Sequence, residues 1–290
     1  MTPPAVPIVD RFEPLARGAD FFVIDQWGCL HDGVTAHPGA IELLEALRRL
    51  RRPVALVSNS SRPAAPSRAL LERIGFPLDL MDAMLTAGEL ARLWLAAAWS
   101  AGQVRRALSL LGPPGPESVL RTMGFPVTDV LAEADVIVVS GISRVEPTQL
   151  DGIFQEAVSR AVPLLCLNPD IQSVQPDGSM VYCPGAYARR FHALGGAVRS
   201  WGKPGREIYA AARAALGSPS GRGLGVGDSL EHDIQGALGD DLGAVWVARG
   251  IHWRELGLTA PGERPTPDAV RRSCARWGIW PTAVVPTLRW

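Results

Sequence analysis

Residues 21–25 read Phe-Phe-Val-Ile-Asp, and this short stretch decides the fold. Four apolar residues in a row, closing on a carboxylate, lack the alternation of a half-exposed strand. They match a strand covered on both faces, as the strands of a parallel sheet are. Asp25 then stands at the carboxyl end of that strand. Downstream, Ile41, Leu44, Leu47 and Leu50 recur at helical spacing within 39–51, and Val54-Ala55-Leu56-Val57 is a second buried strand. Strand, helix and strand make a βαβ unit, whose crossover is right-handed and whose ligands bind outside the carboxyl ends of the strands.

After a helix near 66–74 and the stretch Ala83-Met84-Leu85-Thr86, a second series of elements begins. Strands at 107–111, 136–139 and 164–167 are separated by helices at 116–123 and 147–160, and Gly112-Pro113-Pro114-Gly115-Pro116 is a turn within this series. The last part returns to the first pattern, with a helix at 204–216, a strand at 224–226, a helix at 233–242 and a strand at 244–247. The expected fold class is α/β. Residues 1–87 and 200–290 form one parallel-sheet domain, and residues 88–199 form an α/β unit inserted into it.

Composition narrows the function. With 47% hydrophobic and 20% charged residues, the 290-residue chain can bury a core. Twenty-nine basic residues balance twenty-nine acidic ones, so the net charge gives no footprint for nucleic acid or for an anionic membrane. The cluster Arg48, Arg49, Arg51 and Arg52 reads as a solvated helix end. No apolar run approaches the roughly 18 residues of a membrane span, and the first residues lack a signal pattern, so a cytoplasmic protein is expected. Cys29, Cys166, Cys183 and Cys274 form no closely spaced pair, which argues against a zinc site or a disulfide framework. The tryptophans at 277, 280 and 290 favour a homodimer.

Two strand-end acids carry the chemistry. Asp25 closes FFVID, and Asp228 follows Leu224-Gly225-Val226-Gly227. Neighbouring parallel strands would bring the two together as a hard-oxygen site suited to Mg²⁺. Singly, each Asp reads as a cap or turn residue. Ser58-Asn59-Ser60 just after the second strand and Gly202-Lys203-Pro204 just before a helix suit a phosphate, which takes hydroxyl and N–H donors and a cation. The run Gly223–Gly227 is no dinucleotide fingerprint, because its glycines lie in a strand instead of opening a helix. Cys29, without a base placed beside it, reads as a small buried side chain.

These residues, in this order, resemble the haloacid dehalogenase superfamily, and within it the class IIA, NagD-like branch of phosphatases with a large inserted cap. Asp25 through Gly33 (DQWGCLHDG) is similar to the nucleophile motif, Ser58-Asn59-Ser60 to the second, Gly202-Lys203-Pro204 to the third, and Gly227-Asp228 through Asp233-Ile234 to the fourth. Asn168-Pro169-Asp170 and Pro184-Gly185-Ala186 resemble cap signatures. The resemblance implies a Rossmann-like core split by a cap, an aspartyl-phosphate at Asp25, and Mg²⁺ held by Asp25, Asp228 and the carbonyl of Trp27. Asp233 supports the ion from behind, Ser58, Asn59 and Ser60 bind phosphate, and Asn168 and Asp170 are the cap residues that meet the substrate. That substrate is a small phosphorylated metabolite.

One position departs from the family pattern. The usual second Asp, two places after the nucleophile, is Trp27 here, and that Asp is the family's general acid and base. The fold and metal site survive the change, but turnover is weakened, because general acid–base catalysis is worth about 10²–10⁴-fold. His31 and Asp32 read as capping or loop residues. A catalytically weak phosphate-binding or regulatory protein, or a phosphotransferase using the same intermediate, is the alternative.

Overall fold

The computed structural model describes residues 5–111, 115–174, 179–260 and 262–290, so most of the turn expected at 112–116 lies outside the described residues. The chain divides into two compact units: residues 1–58, 68–85 and 203–290 form the first, and residues 59–67 and 86–202 the second.

The first unit is built on a six-stranded sheet in the order Ala83–Thr86, Val54–Ser58, Phe21–Asp25, Gly223–Gly227, Gly243–Val247 and Ala283–Val285, counted from one edge. Phe21–Asp25 pairs in parallel with both of its neighbours, and the strands beyond Gly223–Gly227 also pair in parallel. Every residue of FFVID, VALVS and GLGVG is buried, as the unbroken apolar runs require. On helix Ala40–Arg49, Leu43, Leu44 and Leu47 join Phe12, Phe22, Ile24 and Val245 in one core. The chain runs outward in one direction through 54–58 and 83–86, and in the other through 243–247 and 283–285. The reversal falls between 21–25 and 223–227, where an open α/β sheet forms its ligand crevice.

The second unit has its own five-stranded sheet, in the order Val198–Ser200, Leu164–Cys166, Val136–Val139, Ala107–Ser109 and Val127–Thr128, with all described pairings parallel. A separate antiparallel hairpin joins Gln172–Val174 to Met180–Tyr182. One core packs Ala91, Leu95, Val119, Leu120 and Val138; another packs Ile137, Phe154, Leu164, Tyr187 and Phe191.

Several elements extend beyond the sequence reading. Helices Ala87–Ser100, Pro184–Ala193 and Pro267–Trp277 and the edge strand Ala283–Val285 are additional to it, and the helix expected at 233–242 opens with a π turn at Leu230–Ile234 and ends at Gly239. The strand expected at 107–111 stops at Ser109, since Leu111 takes a positive φ of 70°.

Candidate active site

The sheet reversal assembles four ionisable groups in the first unit. Asp25 ends its strand, Asp228 follows the neighbouring one, Asp233 lies in the π turn, and Lys203 stands shortly before helix Arg206–Ala215. Their exposures are 5%, 8%, 4% and 3%, so all four are withdrawn from water. Lys203 Nζ is ion-paired to Asp25 Oδ1, and at 2.7 Å to Asp233 Oδ1. The other oxygen of Asp233 accepts the Ser229 N–H at 3.0 Å, which fixes the carboxylate that fixes the lysine.

Three buried carboxylates face one ammonium. Burial pushes Asp25 up to about 7, the nearby Lys203 opposing that rise and Asp233 adding to it. Asp228 is raised well above the usual carboxylate range by burial and by repulsion from Asp25 and Asp233. Burial alone would lower Lys203, but Asp233 and Asp25 outweigh it and hold the ammonium charged. The set is short of positive charge, and a divalent cation would supply it. Oxygens of Asp25 and Asp228 and the sulfur of Cys29 all lie within 4.8 Å of one another. Burial and the adjacent Asp228 and Asp25 keep the Cys29 thiol protonated, raising it well above its ordinary value. The donors ready to bind are therefore hard oxygens, which fit Mg²⁺.

The loop bearing Asp228 is held from three sides. Its carbonyl accepts the indole N–H of Trp246 at 2.9 Å, its Oδ2 accepts the Ile251 N–H at 2.8 Å, and two residues on, the Leu230 N–H donates to His252 Nε2 at 3.2 Å. Close approach is possible because Gly28 and Gly250 carry no side chain: a Cβ at either position would collide with Asp228 Oδ2. Trp246, Gly250 and His252 escaped the sequence reading. Trp246 sits in an apolar strand run that reads as core, and no local signal marks the other two.

The remaining expected residues fall as follows. Ser58 is buried and follows Val57, the sheet partner of Asp25. Asn59 and Ser60 belong to the second unit, as do Asn168 and Asp170. There the Asn59 amide donates to Asp170 Oδ1 at 2.8 Å, Asn168 Oδ1 accepts the Asp170 N–H at 2.8 Å, and Ser60 Oγ accepts the Arg62 N–H at 3.2 Å. Gly185 packs on the Pro169 carbonyl, so the two cap signatures meet. Trp27 is 52% exposed, with its indole over Gly33 and edge-on to His31, the two rings 5.9 Å apart. Asp32 accepts the N–H groups of Val34 and Thr35, which is loop capping. His31 Nδ1 accepts the Gly33 N–H at 3.0 Å, and burial pulls its pKa down to about 4, so the ring is neutral with its proton on Nε2.

The family described as haloacid dehalogenase-like hydrolase matches residues 22–126, and a second description, HAD-hydrolase-like, matches residues 200–289. The chain belongs to the haloacid dehalogenase-like hydrolases. A hydrolase of that family from Brucella suis 1330 shares 28% identity with it at a TM-score of 0.76, over 97% of this chain and 99% of that one. A p-nitrophenyl phosphatase from Archaeoglobus fulgidus has the same fold, at 22% identity and a TM-score of 0.69, over 92% and 95% of the two chains. So does a glycerol phosphate phosphatase from Mycobacterium tuberculosis, solved with magnesium, at 24% identity and a TM-score of 0.63, over 87% of this hydrolase and 75% of that chain. The α/β core carrying an inserted α/β unit is the fold that the hydrolase shares with these solved structures. No curated protein sequence matches it. Among the described residues, no helix is long and apolar enough to cross a membrane.

Proposed function

We propose that this hydrolase cleaves a small phosphate monoester with Mg²⁺, through an aspartyl-phosphate at Asp25. The observation that carries the reading is the buried group of Asp25, Asp228 and Asp233 around Lys203, at the sheet reversal of a fold shared with phosphatases. Mg²⁺ would be held by Asp25, Asp228 and the Trp27 carbonyl, and when bound it supplies charge neutralisation at the transferring phosphoryl group. An oxygen of Asp25 attacks phosphorus as the ester P–O bond breaks. Lys203 stabilises the phosphoryl oxygens, and Asp233 keeps Lys203 in place. Ser58, Asn59 and Ser60 orient the phosphate. Residues 88–199 select the substrate, with Asn168 and Asp170 as their contacts, while 1–87 and 200–290 carry the catalytic groups.

Trp27 favours a second reading in which phosphate ligands bind but turn over slowly, or the phosphoryl group passes to an acceptor other than water. An indole offers an N–H donor and no basic lone pair, and in the neutral His31 the basic Nδ1 already accepts the Gly33 N–H while Nε2 carries the proton, so the ring does not replace a carboxylate base. The deciding experiment is phosphate release from an aryl phosphate. Mg²⁺-dependent release lost in Asp25→Asn supports the phosphatase. Ligand binding without release supports the second reading, and release that survives Asp25→Asn removes Asp25 as nucleophile. A homodimer is also part of this proposal. Trp277 remains 36% exposed, while Trp290 packs against the first unit's core.

A further inference from the structure

Cys29 lies four residues after Asp25 and is only 1% exposed. Cys166 donates its thiol to the Asn168 carbonyl, but the Cys29 thiol has no hydrogen-bond partner among the described residues. Its sulfur is instead within 4.8 Å of carboxylate oxygens of both Asp25 and Asp228. Zinc-type ions bind oxygen at about 2.0–2.2 Å and sulfur at about 2.3 Å in tetrahedral geometry, so ligand atoms on one ion stand roughly 3.5 Å apart. The observed spread, within 4.8 Å, closes on a single ion with side-chain shifts of about an ångström.

We propose that Cys29 is a thiolate ligand in waiting, which turns the Asp25–Asp228 pair into a site for a thiophilic divalent cation of the Zn²⁺ class that competes with Mg²⁺ and holds the enzyme inactive. This rests on the reading of Asp25 and Asp228 as the Mg²⁺ ligands. Oxygen ligands alone suit Mg²⁺, whereas adding one sulfur shifts preference strongly toward Zn²⁺ and Cd²⁺. The metal–sulfur bond forms as the thiol proton leaves to solvent, as metal binding at cysteine requires. Three buried carboxyl groups share one ammonium, so an incoming dication finds carboxylate groups to compensate its charge. Such an ion, bound to sulfur, takes the place of Mg²⁺ and gives to Cys29 a coordination position that a phosphate oxygen would otherwise fill, so phosphoryl transfer stops.

Cd²⁺ is the probe, because a cadmium–thiolate bond has its own ultraviolet charge-transfer band. Metal-stripped full-length protein is titrated with Cd²⁺, alongside Cys29→Ser and Cys29→Val, the second being an apolar replacement of similar bulk in case the first folds poorly. The proposal expects a saturable band from one ion, absent in both variants and suppressed competitively by Mg²⁺. Cd²⁺ affinity should fall at least about tenfold in the variants, since even groups that merely orient a metal ligand are worth about 10–100-fold. No band in the wild-type protein, a band that persists in both variants, or a band indifferent to Mg²⁺ overturns it. Calorimetry of Mg²⁺ binding to wild-type and Asp228→Asn protein keeps the two ideas apart. Mg²⁺ binding that depends on Asp228, without a Cys29-dependent cadmium band, sinks only the role of Cys29; Mg²⁺ binding that is absent or independent of Asp228 sinks the metal site itself.

Discussion

At the scale of single residues, Trp27 and Lys203 carry the sharpest expectations. A good leaving group departs from phosphorus without protonation, so an aryl phosphate should phosphorylate Asp25 quickly, while the following hydrolysis, lacking a base, is slow. Pre-steady-state kinetics should then show a burst of leaving group, and Trp27→Asp should speed the slow phase; fast turnover with no burst would show that another group supplies the base. Lys203→Ala should lower turnover by about 10²–10³-fold, the usual cost of one donor aimed at developing charge. Because Lys203 is buried between two carboxylates, the same change should cost about 3–5 kcal/mol of stability, read from denaturant melts, with Mg²⁺ restoring part of it. Asp25, Asp228 and Lys203 were legible in the sequence because each adjoins an apolar run or a helix start, and the chain order of such groups is a local signal. What surrounds them was not.

At the scale of elements, the loop after strand Gly223–Gly227 shows why. Trp246 and His252 hold it from a strand and a loop some twenty residues downstream, through contacts that only the fold creates. Trp246→Phe keeps the apolar bulk but removes the donor to the Asp228 carbonyl, a loss of about 1–3 kcal/mol for a buried acceptor. The expected result is a higher Mg²⁺ requirement with little change in substrate KM at saturating Mg²⁺, measured as the Mg²⁺ dependence of initial rates. Gly250→Ala is harsher, because its Cβ would collide with the Asp228 carboxylate, and it should abolish Mg²⁺ binding while the circular dichroism spectrum stays native. Helix Ala87–Ser100 gives the corresponding lesson for secondary structure. Its buried face is Ala87, Gly88, Ala91, Leu95 and Ala98, so the large apolar residues that reveal a helical period are mostly missing from it. Its start was nonetheless written in Thr86 and Glu89, as Thr86 Oγ1 accepts the Glu89 N–H at 2.9 Å.

At the scale of the whole molecule, the pairings described in the two large sheets are parallel, as unbroken apolar runs such as 21–24, 54–57 and 136–139 imply, and this much of the architecture was legible; short edge strands such as Val127–Thr128 and Val198–Ser200 bury too little to leave a pattern. Global stability should depend on pH through His31, which is 3% exposed and whose pKa drops from 6.5 to about 4 on folding. Above 6.5 the ring is neutral in both states and contributes nothing. As pH falls from about 6.5 toward 4, the unfolded chain takes a proton that the folded one refuses, and stability is lost, by up to about 3 kcal/mol. Asp25 slopes the other way, so the decisive measurement is the difference between wild-type and His31→Leu unfolding at pH 7 and pH 5. The variant should lose less on acidification, and an equal loss would remove His31 from the account. The division of the chain has a further consequence, for its birth on the ribosome. Strand Phe21–Asp25 is complete early, but its partner Gly223–Gly227 emerges some 200 residues later, after the whole second unit. At about 5–20 residues per second the first strand waits roughly ten to forty seconds for that partner. Throughout that interval the nascent chain holds an apolar strand with one edge bare, Lys203 is added only near its end and Asp228 only after it, so by the proposed mechanism no activity is expected before the last quarter of the chain is being translated.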